Sequence, residues 1–196
     1  MASPQNPVGS WSDYYTAALK APLHPLYEEI DKWLPQTGMA LELGAGVGNG
    51  VVHLIEKGLT VTAVDAESEA IQIIRERAPE AIVIESLFQD LSLSEETYDV
   101  VVAGFSLFFL TAGEFIEFWP RLVSSVRAGG IIAGQLMGPH DDWVARGYSA
   151  HSHDEAWQLL SPFVVLHFEE AERDGQTTLS TPKHWHVHHF VARKPD

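Results

Sequence analysis

Met39-Ala-Leu-Glu-Leu-Gly-Ala-Gly-Val-Gly48 reads as a β-strand running into a glycine turn, and Val61-Thr-Ala-Val-Asp65, the next apolar run, closes on a carboxylate 17 residues after Gly48. Glycine at the strand-to-helix turn leaves main chain bare for a ligand, and an acid ending the second strand can accept from both hydroxyls of a ribose. Together the two stretches describe a pocket for a nucleoside-bearing cofactor on an α/β sheet.

The spacing narrows the cofactor. A dinucleotide fingerprint G-x-G-x-x-G laid from Gly44 meets Asn49 where its last glycine should stand, and laid from Gly46 it meets Val51. The Gly-Lys-Ser/Thr ending of a phosphate-binding loop is absent. What stands here is Glu42-x-Gly44-x-Gly46-x-Gly48. An acid at Glu42 is unwelcome beside a pyrophosphate and tolerable beside a cofactor without one.

Outward from that core, apolar periodicity alternates between strand and helix in the order of a doubly wound sheet. Upstream, Leu26, Ile30, Trp33 and Leu34 form one face of a helix that Pro35 should end, and Gly38 turns the chain into strand Met39 to Leu43. Downstream come a helix through Val51 and Leu54 stopped by Gly58, strand Thr60 to Asp65, helix Ser68 to Ala78, strand Ala81 to Glu85 and a buried strand Tyr98 to Ala103. Thr111-x-x-Glu114 is a capping box whose helix Pro120 should break and restart, and Arg127-Ala-Gly-Gly130 should turn into strand Ile131 to Leu136. Ser152-x-x-Glu155 caps a helix ending near Leu160. Then Phe163 to Glu172 and Trp185 to Arg193 read as antiparallel strands about a turn at Asp174-Gly175. The expectation is a single domain: a helical cap over 1–38, a cofactor-binding core over 39–136, and a substrate-side loop, helix and antiparallel hairpin over 137–196.

Composition fits. A chain of 196 residues, 45% hydrophobic, is enough for one sizeable core. No apolar run reaches the length of a membrane span or signal region, so a soluble cytoplasmic protein, monomer or homodimer, is expected. Without cysteine there are no disulfides, thiolate nucleophiles or cysteine-ligated zinc. Acids outnumber bases 27 to 12, for a formal charge of −15, which argues against nucleic acid and leaves a small or cationic substrate.

With the glycine motif and Asp65 in place, the sequence resembles the class I S-adenosylmethionine-dependent methyltransferases. Phe88-Gln-Asp90 is similar to the family's third acidic motif and Tyr98-Asp-Val-Val-Val-Ala-Gly-Phe-Ser-Leu-Phe-Phe-Leu110 to its fourth. Arg127-Ala-Gly-Gly130 stands where such enzymes often carry a Pro-Gly-Gly turn. Trp11-Ser-Asp-Tyr-Tyr15 resembles the tellurite-resistance-type small-molecule methyltransferases, whose early tyrosines fold over the cofactor. The resemblance implies a Rossmann-like seven-stranded sheet, mostly parallel with an antiparallel C-terminal strand, and S-adenosylmethionine as cofactor. It carries cofactor contacts onto Tyr15, onto Glu42, Gly44, Ala45 and Gly46 of the glycine turn, and onto Asp65 and Ala66 at the ribose. Gln89, Asp90 and Leu91 are implied at the adenine, and Gly104 and Phe105 at the end of the fourth motif.

The family topology also implies that the start of the last strand reaches the acceptor, placing His184, Trp185 and His186 there. The loop with His140, Asp141, Asp142 and Trp143 should close over the same mouth, with Phe105, Phe108 and Phe109 as apolar walls. A sulfonium methyl is already a good electrophile, so positioning can supply about 7–11 kcal/mol of the barrier reduction. A base is needed only if the acceptor carries a proton; the candidates are His184 and His186, then His140. A thiolate, selenide or tellurium oxyanion would need none.

Competing readings are a non-catalytic cofactor-binding module, its acceptor side blocked by Phe105, Phe108 and Phe109, and a nicotinamide-dependent reductase. Asp65 could instead cap the helix near Ser68, Asp90 could be a turn residue, and Tyr14 and Tyr15 could be ordinary packing. His184, His186 and His188 alternate onto one strand face. No metal is expected there, because ligands usually converge from separate elements and a strand can hydrogen-bond its imidazoles instead. His151 and His153, beside the capping Ser152, and the acidic run Phe168-Glu-Glu-Ala-Glu172 are expected to be solvent-exposed.

Overall fold

The computed structural model describes residues 9–196; the first eight residues of the expected cap lie outside the described residues. Along the chain the elements are α1 (Trp11–Ala18), α2 (Pro25–Ile30), β1 (Gly38–Leu43), α3 (Asn49–Glu56), β2 (Leu59–Asp65), α4 (Ser68–Arg77) and β3 (Ile82–Glu85). Then follow β4 (Tyr98–Ala103), α5 (Ala112–Ser125), β5 (Val126–Met137), α6 (His153–Leu159), β6 (Val164–Gln176) and β7 (Pro182–Arg193). The strands form one seven-stranded sheet in the order β3-β2-β1-β4-β5-β7-β6. β1 to β5 pair in parallel, whereas β7 runs antiparallel to both β5 and β6, giving the Rossmann-like sheet with a reversed last strand.

Strand alternation builds a core on each face. Leu41, Leu43, Val101 and Ala103 point to the side covered by Phe115, Phe118 and Leu122 of α5. Ala40, Val100 and Val102 point to the other, against Leu26 and Ile30 of α2 and Val51 and Leu54 of α3. A fully buried side chain of this size contributes about 1.5–3 kcal/mol. The parity continues into β7, where Phe190 and Ala192 join the α5 side and Val191 the α2 side. That parity decides on which side of the sheet each histidine of β7 lies.

Four local expectations are corrected. α2 stops at Ile30, and Trp33 closes a turn onto the Ile30 carbonyl at 2.8 Å, so Trp33 and Leu34 reach the core from a turn. α5 runs unbroken through Pro120. The carbonyl deprived of a donor belongs to Ile116, a residue 71% exposed that water can serve, while Phe115, Phe118, Trp119 and Leu122 hold the buried face. Arg127 to Gly130 bulges within β5, the register jumping from Tyr98↔Val126 to Val100↔Ile131, with Gly129 at φ 72°. Asp174 and Gly175 are paired within β6, opposite His184 and Lys183, and the turn lies at 177–181, closed by Thr177 N–H to the Thr181 carbonyl at 2.9 Å. Gly175 serves clearance instead: a Cβ there would lie 3.2 Å from the Trp185 indole.

Candidate active site

Beyond the carboxyl ends of β1, β2, β3 and β4 opens a cavity of about 1060 Å³, where ligands sit in doubly wound sheets. The glycine loop borders it. Gly44, Gly46 and Gly48 have φ of 67°, 54° and 76°, but their roles differ. A Cβ on Gly44 would lie 2.4 Å from Ser106 Cβ and one on Gly48 3.2 Å from Ile74, whereas one on Gly46 meets nothing within 4 Å. Gly46 alone of the three presents bare main chain to open space, as a closely approaching nucleoside requires.

Glu42, at the end of β1, shares this wall. Its Oε1 accepts from the Tyr27 hydroxyl, while its Oε2 is buried without a partner among the described residues. Burial pushes the carboxyl up to about 8, against the lowering influence of the Tyr27 hydrogen bond. A ligand ammonium would supply the missing donor and draw the group back to its anionic form. Asp65 ends β2 with Oδ2 accepting from Gly46 N–H at 2.8 Å and Oδ1 from Glu67 N–H at 3.0 Å. Burial raises its pKa, opposed by those bonds. The N-cap of α4 is Glu67, so Asp65 ties the strand end to the glycine loop rather than capping the helix. A carboxylate has about four acceptor positions, which leaves capacity for sugar hydroxyls.

Tyr15 lines the cavity, stacked on Trp11 with ring centroids 6.0 Å apart, and Tyr14 meets both rings edge-on. Gly44, Ala45, Ala66, Gln89, Gly104 and Phe105 also line it. Asp90 and Leu91 do not. The turn made by Asp90 N–H to Leu87 and Leu91 N–H to Phe88 carries Asp90 into solvent and Leu91 into the α5-side core. Phe88 and Gln89 are the members of that motif that face the cavity.

The three histidines expected at the acceptor lie elsewhere. Trp185, Val187 and His189 of β7 line the cavity, so strand alternation sends His184 and His186 to the opposite face. His140 goes with them, its Nδ1 3.2 Å from Glu172. Of the loop expected to close the mouth, only Trp143 reaches the cavity. Asp141 is buried, accepts from His186 N–H at 3.1 Å and from Trp143 N–H at 3.0 Å, and pairs with the buried Lys183 ammonium. That ammonium sits 3.7 Å from the Trp185 ring centroid and 4.6 Å from that of Trp143.

Two histidines that sequence reasoning passed over do line the cavity, His24 and His189, stacked with centroids 6.4 Å apart. His24 Nδ1 accepts from Leu26 N–H at 3.1 Å. Phe105, held at φ 50°, donates its N–H to Gln135 Oε1 at 2.9 Å, which turns the amide nitrogen of the buried Gln135 toward His189 Nδ1 at 3.3 Å. Both imidazoles therefore use Nδ1 as acceptor and, when neutral, carry their proton on Nε2. Burial, with each other's proximity for His24, lowers His24 to about 4 and lowers His189 as well. They are neutral hydrogen-bond donors. Only the parity of β7, fixed by the Phe190 and Val191 packing, could have signalled His189; His24 carried no sequence signal beyond standing before Pro25.

Residues 40–130 match the methyltransferase domain family. The fold superposes on TehB from Haemophilus influenzae with a TM-score of 0.78 over 94% of this chain and 67% of that one, at 15% identity. The likeness to methyltransferases thus lies in the core of the chain, from β1 to the bulge of β5. The chain is also similar to the N-methyltransferase NodS from Bradyrhizobium japonicum, solved with S-adenosylhomocysteine (TM-score 0.66, 17% identity, 98% of this chain and 90% of that one). It is 29% identical over 104 residues to an uncharacterized methyltransferase of Mycobacterium tuberculosis. That match takes in 53% of this chain and 42% of the relative, so the chain spans less than half the length of that protein. No helix among the described residues is long and apolar enough to cross a membrane.

Proposed function

We propose that this chain transfers the methyl group of S-adenosylmethionine to a small, flat acceptor, and that it does so by positioning rather than by proton abstraction. The observation that carries the reading is one cavity lined both by bare Gly46, the unpartnered Glu42 Oε2 and Asp65 and by the aromatic rings of Phe105, Phe108, Phe109, Trp143 and Trp185. The cofactor, when bound, supplies an electrophilic methyl. Asp65 and Glu42 would hold its sugar and its ammonium, with Tyr15 and Trp11 folded over it. The phenylalanines line the acceptor end and leave it open, which favours catalysis over an occluded binding module. His24 and His189 offer N–H donors to a carbonyl, oxyanion or ring nitrogen of the acceptor, and neither lowers the barrier by taking a proton at neutral pH. Aromatic walls exclude water and suit a heteroaromatic or phenolate-like ring.

The test is to incubate purified chain with S-adenosylmethionine and a panel of nitrogen heteroaromatics, phenols, thiols and selenides, scoring methylated product by mass. Product from one class, lost in Gly46→Val, supports the reading. Tight cofactor binding with no product across the panel would turn it toward the non-catalytic module, and tight NADH binding toward a reductase.

A further inference from the structure

The face of β6 and β7 turned away from the cavity carries a second constellation, independent of methyl transfer. The antiparallel register sets Asp174 opposite His184, Glu172 opposite His186 and Glu170 opposite His188. Glu170 and Glu172 are exposed, as expected of their acidic run, and with Asp174 they face a ladder of imidazoles. His186 Nε2 lies 2.9 Å from Glu170 Oε1, and His153 Nδ1, from the start of α6, lies 2.6 Å from Glu170 Oε2.

His188 separates this cluster from an ordinary ion-pair ladder. It is fully buried, and its Nε2–H donates to the His151 carbonyl at 2.9 Å, which leaves the lone pair on Nδ1. That Nδ1 has no hydrogen-bond partner among the described residues and lies 4.0 Å from Glu170 Oε1. A buried, unpaired imidazole nitrogen is costly unless something accepts its lone pair. A metal ion fits the vacancy in chemistry and in space, since one ligand atom each from Glu170, His186 and His188 fall within 4.8 Å of one another. The ring of His186 is fixed for the purpose. It packs on Gly138, where a Cβ would lie 2.3 Å from its Cγ; its Nδ1 accepts from His140 N–H at 3.3 Å, with Glu172 Oε2 3.9 Å away. Coordination through Nε2 would move the ring proton to Nδ1, exchanging the long bond from His140 N–H for one donated to Glu172, the carboxylate–histidine–metal arrangement that orients a ligating imidazole.

We propose that Glu170, His186 and His188 bind a divalent transition-metal ion, with the fourth position toward His153. Two imidazoles and a carboxylate suit zinc or cobalt rather than calcium or magnesium. Nothing in this face reaches the cavity, so the site is structural: it clamps β6 to β7 and to the start of α6. The earlier objection, that ligands should converge from separate elements, is met by the pairing of β6 with β7.

The experiment titrates tag-free, chelator-treated protein with Zn²⁺ by calorimetry and with Co²⁺ by its visible d–d absorption, neither of which depends on methyl transfer. One equivalent per chain is expected. Glu170→Gln, on a partly exposed side chain, and His188→Asn should each weaken binding on the order of tenfold or more, by analogy with the cost of disturbing a metal's supporting shell. Far-UV circular dichroism checks their fold, and Glu170→Gln decides the matter if His188→Asn unfolds. His184→Ala should bind as wild type. Absence of saturable binding, or binding that survives Glu170→Gln, overturns the site; so does its loss in His140→Ala, which would move the ion to Glu172.

Discussion

Glu42 is the residue whose chemistry depends most on what fills the cavity. Its buried carboxyl, pushed up to about 8, is protonated at neutral pH in the free protein, whereas in the unfolded chain it ionises in the ordinary carboxylate range near 4.5. Folding therefore binds a proton: the stability from keeping Glu42 neutral is intact below that range and is lost as pH rises through about 8. His24 has the opposite sign, because burial lowers it to about 4: its contribution is full above the ordinary histidine range near 6.5 and is lost as pH falls through about 4. The two slopes oppose in mild acid, and above neutrality Glu42 remains of the pair. Thermal unfolding from neutral to mildly alkaline pH should show the wild type losing stability, while Glu42→Gln, which keeps an acceptor for Tyr27, declines less; parallel curves would refute the buried acid. S-adenosylmethionine, bringing a cation beside Glu42, should release a proton on binding near neutrality, read as a buffer-dependent enthalpy that Glu42→Gln abolishes. Sequence reading singled out Glu42 as an acid a phosphate-free cofactor tolerates. That its Oε2 is orphaned depends on Tyr27 and Gly50 coming together in space, which no local pattern records.

At the scale of elements, β7 shows where local reading stops. Its strand character, its antiparallel sense and the shared face of His184, His186 and His188 follow from period-two alternation, and the structure has all three. Which face meets the cavity is set by the far end of the strand, where Phe190 packs under α5 and Val191 over α2, and by the Lys183–Asp141 pair at its start. The same limit explains the misplaced turn at Gly175, a glycine that makes room for Trp185 rather than for a bend. Capping boxes, being local, were fully legible: both Thr111 with Glu114 and Ser152 with Glu155 form. The Lys183–Asp141 pair gives an asymmetric prediction. Asp141→Ala strands a buried ammonium and two backbone N–H groups, and breaking a buried pair costs about 3–5 kcal/mol. Lys183→Met leaves the carboxylate still accepting from His186 N–H and Trp143 N–H and keeps an apolar stem against the tryptophans, so it should cost less. Denaturant titration of both variants checks the order, and equal losses would mean that the two backbone bonds contribute nothing.

For the whole molecule, the sheet divides the labour: the α2 side of the C-terminal hairpin lines the cavity and the α5 side carries the histidine–carboxylate ladder. The order of strands was readable because glycine turns, buried apolar runs and caps recur once per βα unit, each reporting on its neighbours in sequence. The acceptor end was not, because Trp11, His24, Trp143, Trp185 and His189 come from distant segments and meet only when the sheet is complete. A ligand that bridges those segments should therefore stabilise the whole fold, and the size of the effect is calculable. At a hundredfold excess over its Kd, a ligand binding only the native state adds about 2.7 kcal/mol. For a chain of this length, at roughly 2–4 °C per kcal/mol, that raises Tm by roughly 5–11 °C. S-adenosylmethionine should do this to the wild type and not to Gly46→Val, whose side chain enters the space over the bare loop and is strained at φ 54°. Asp65→Ala should retain a smaller shift, having lost charge-assisted bonds worth about 1.5–3 kcal/mol. Because Gly46→Val also strains the loop, its unliganded Tm must be compared with the wild type's first. A shift that persists in Gly46→Val, or one produced by NADH and not by S-adenosylmethionine, would mean that the loop does not cradle this cofactor.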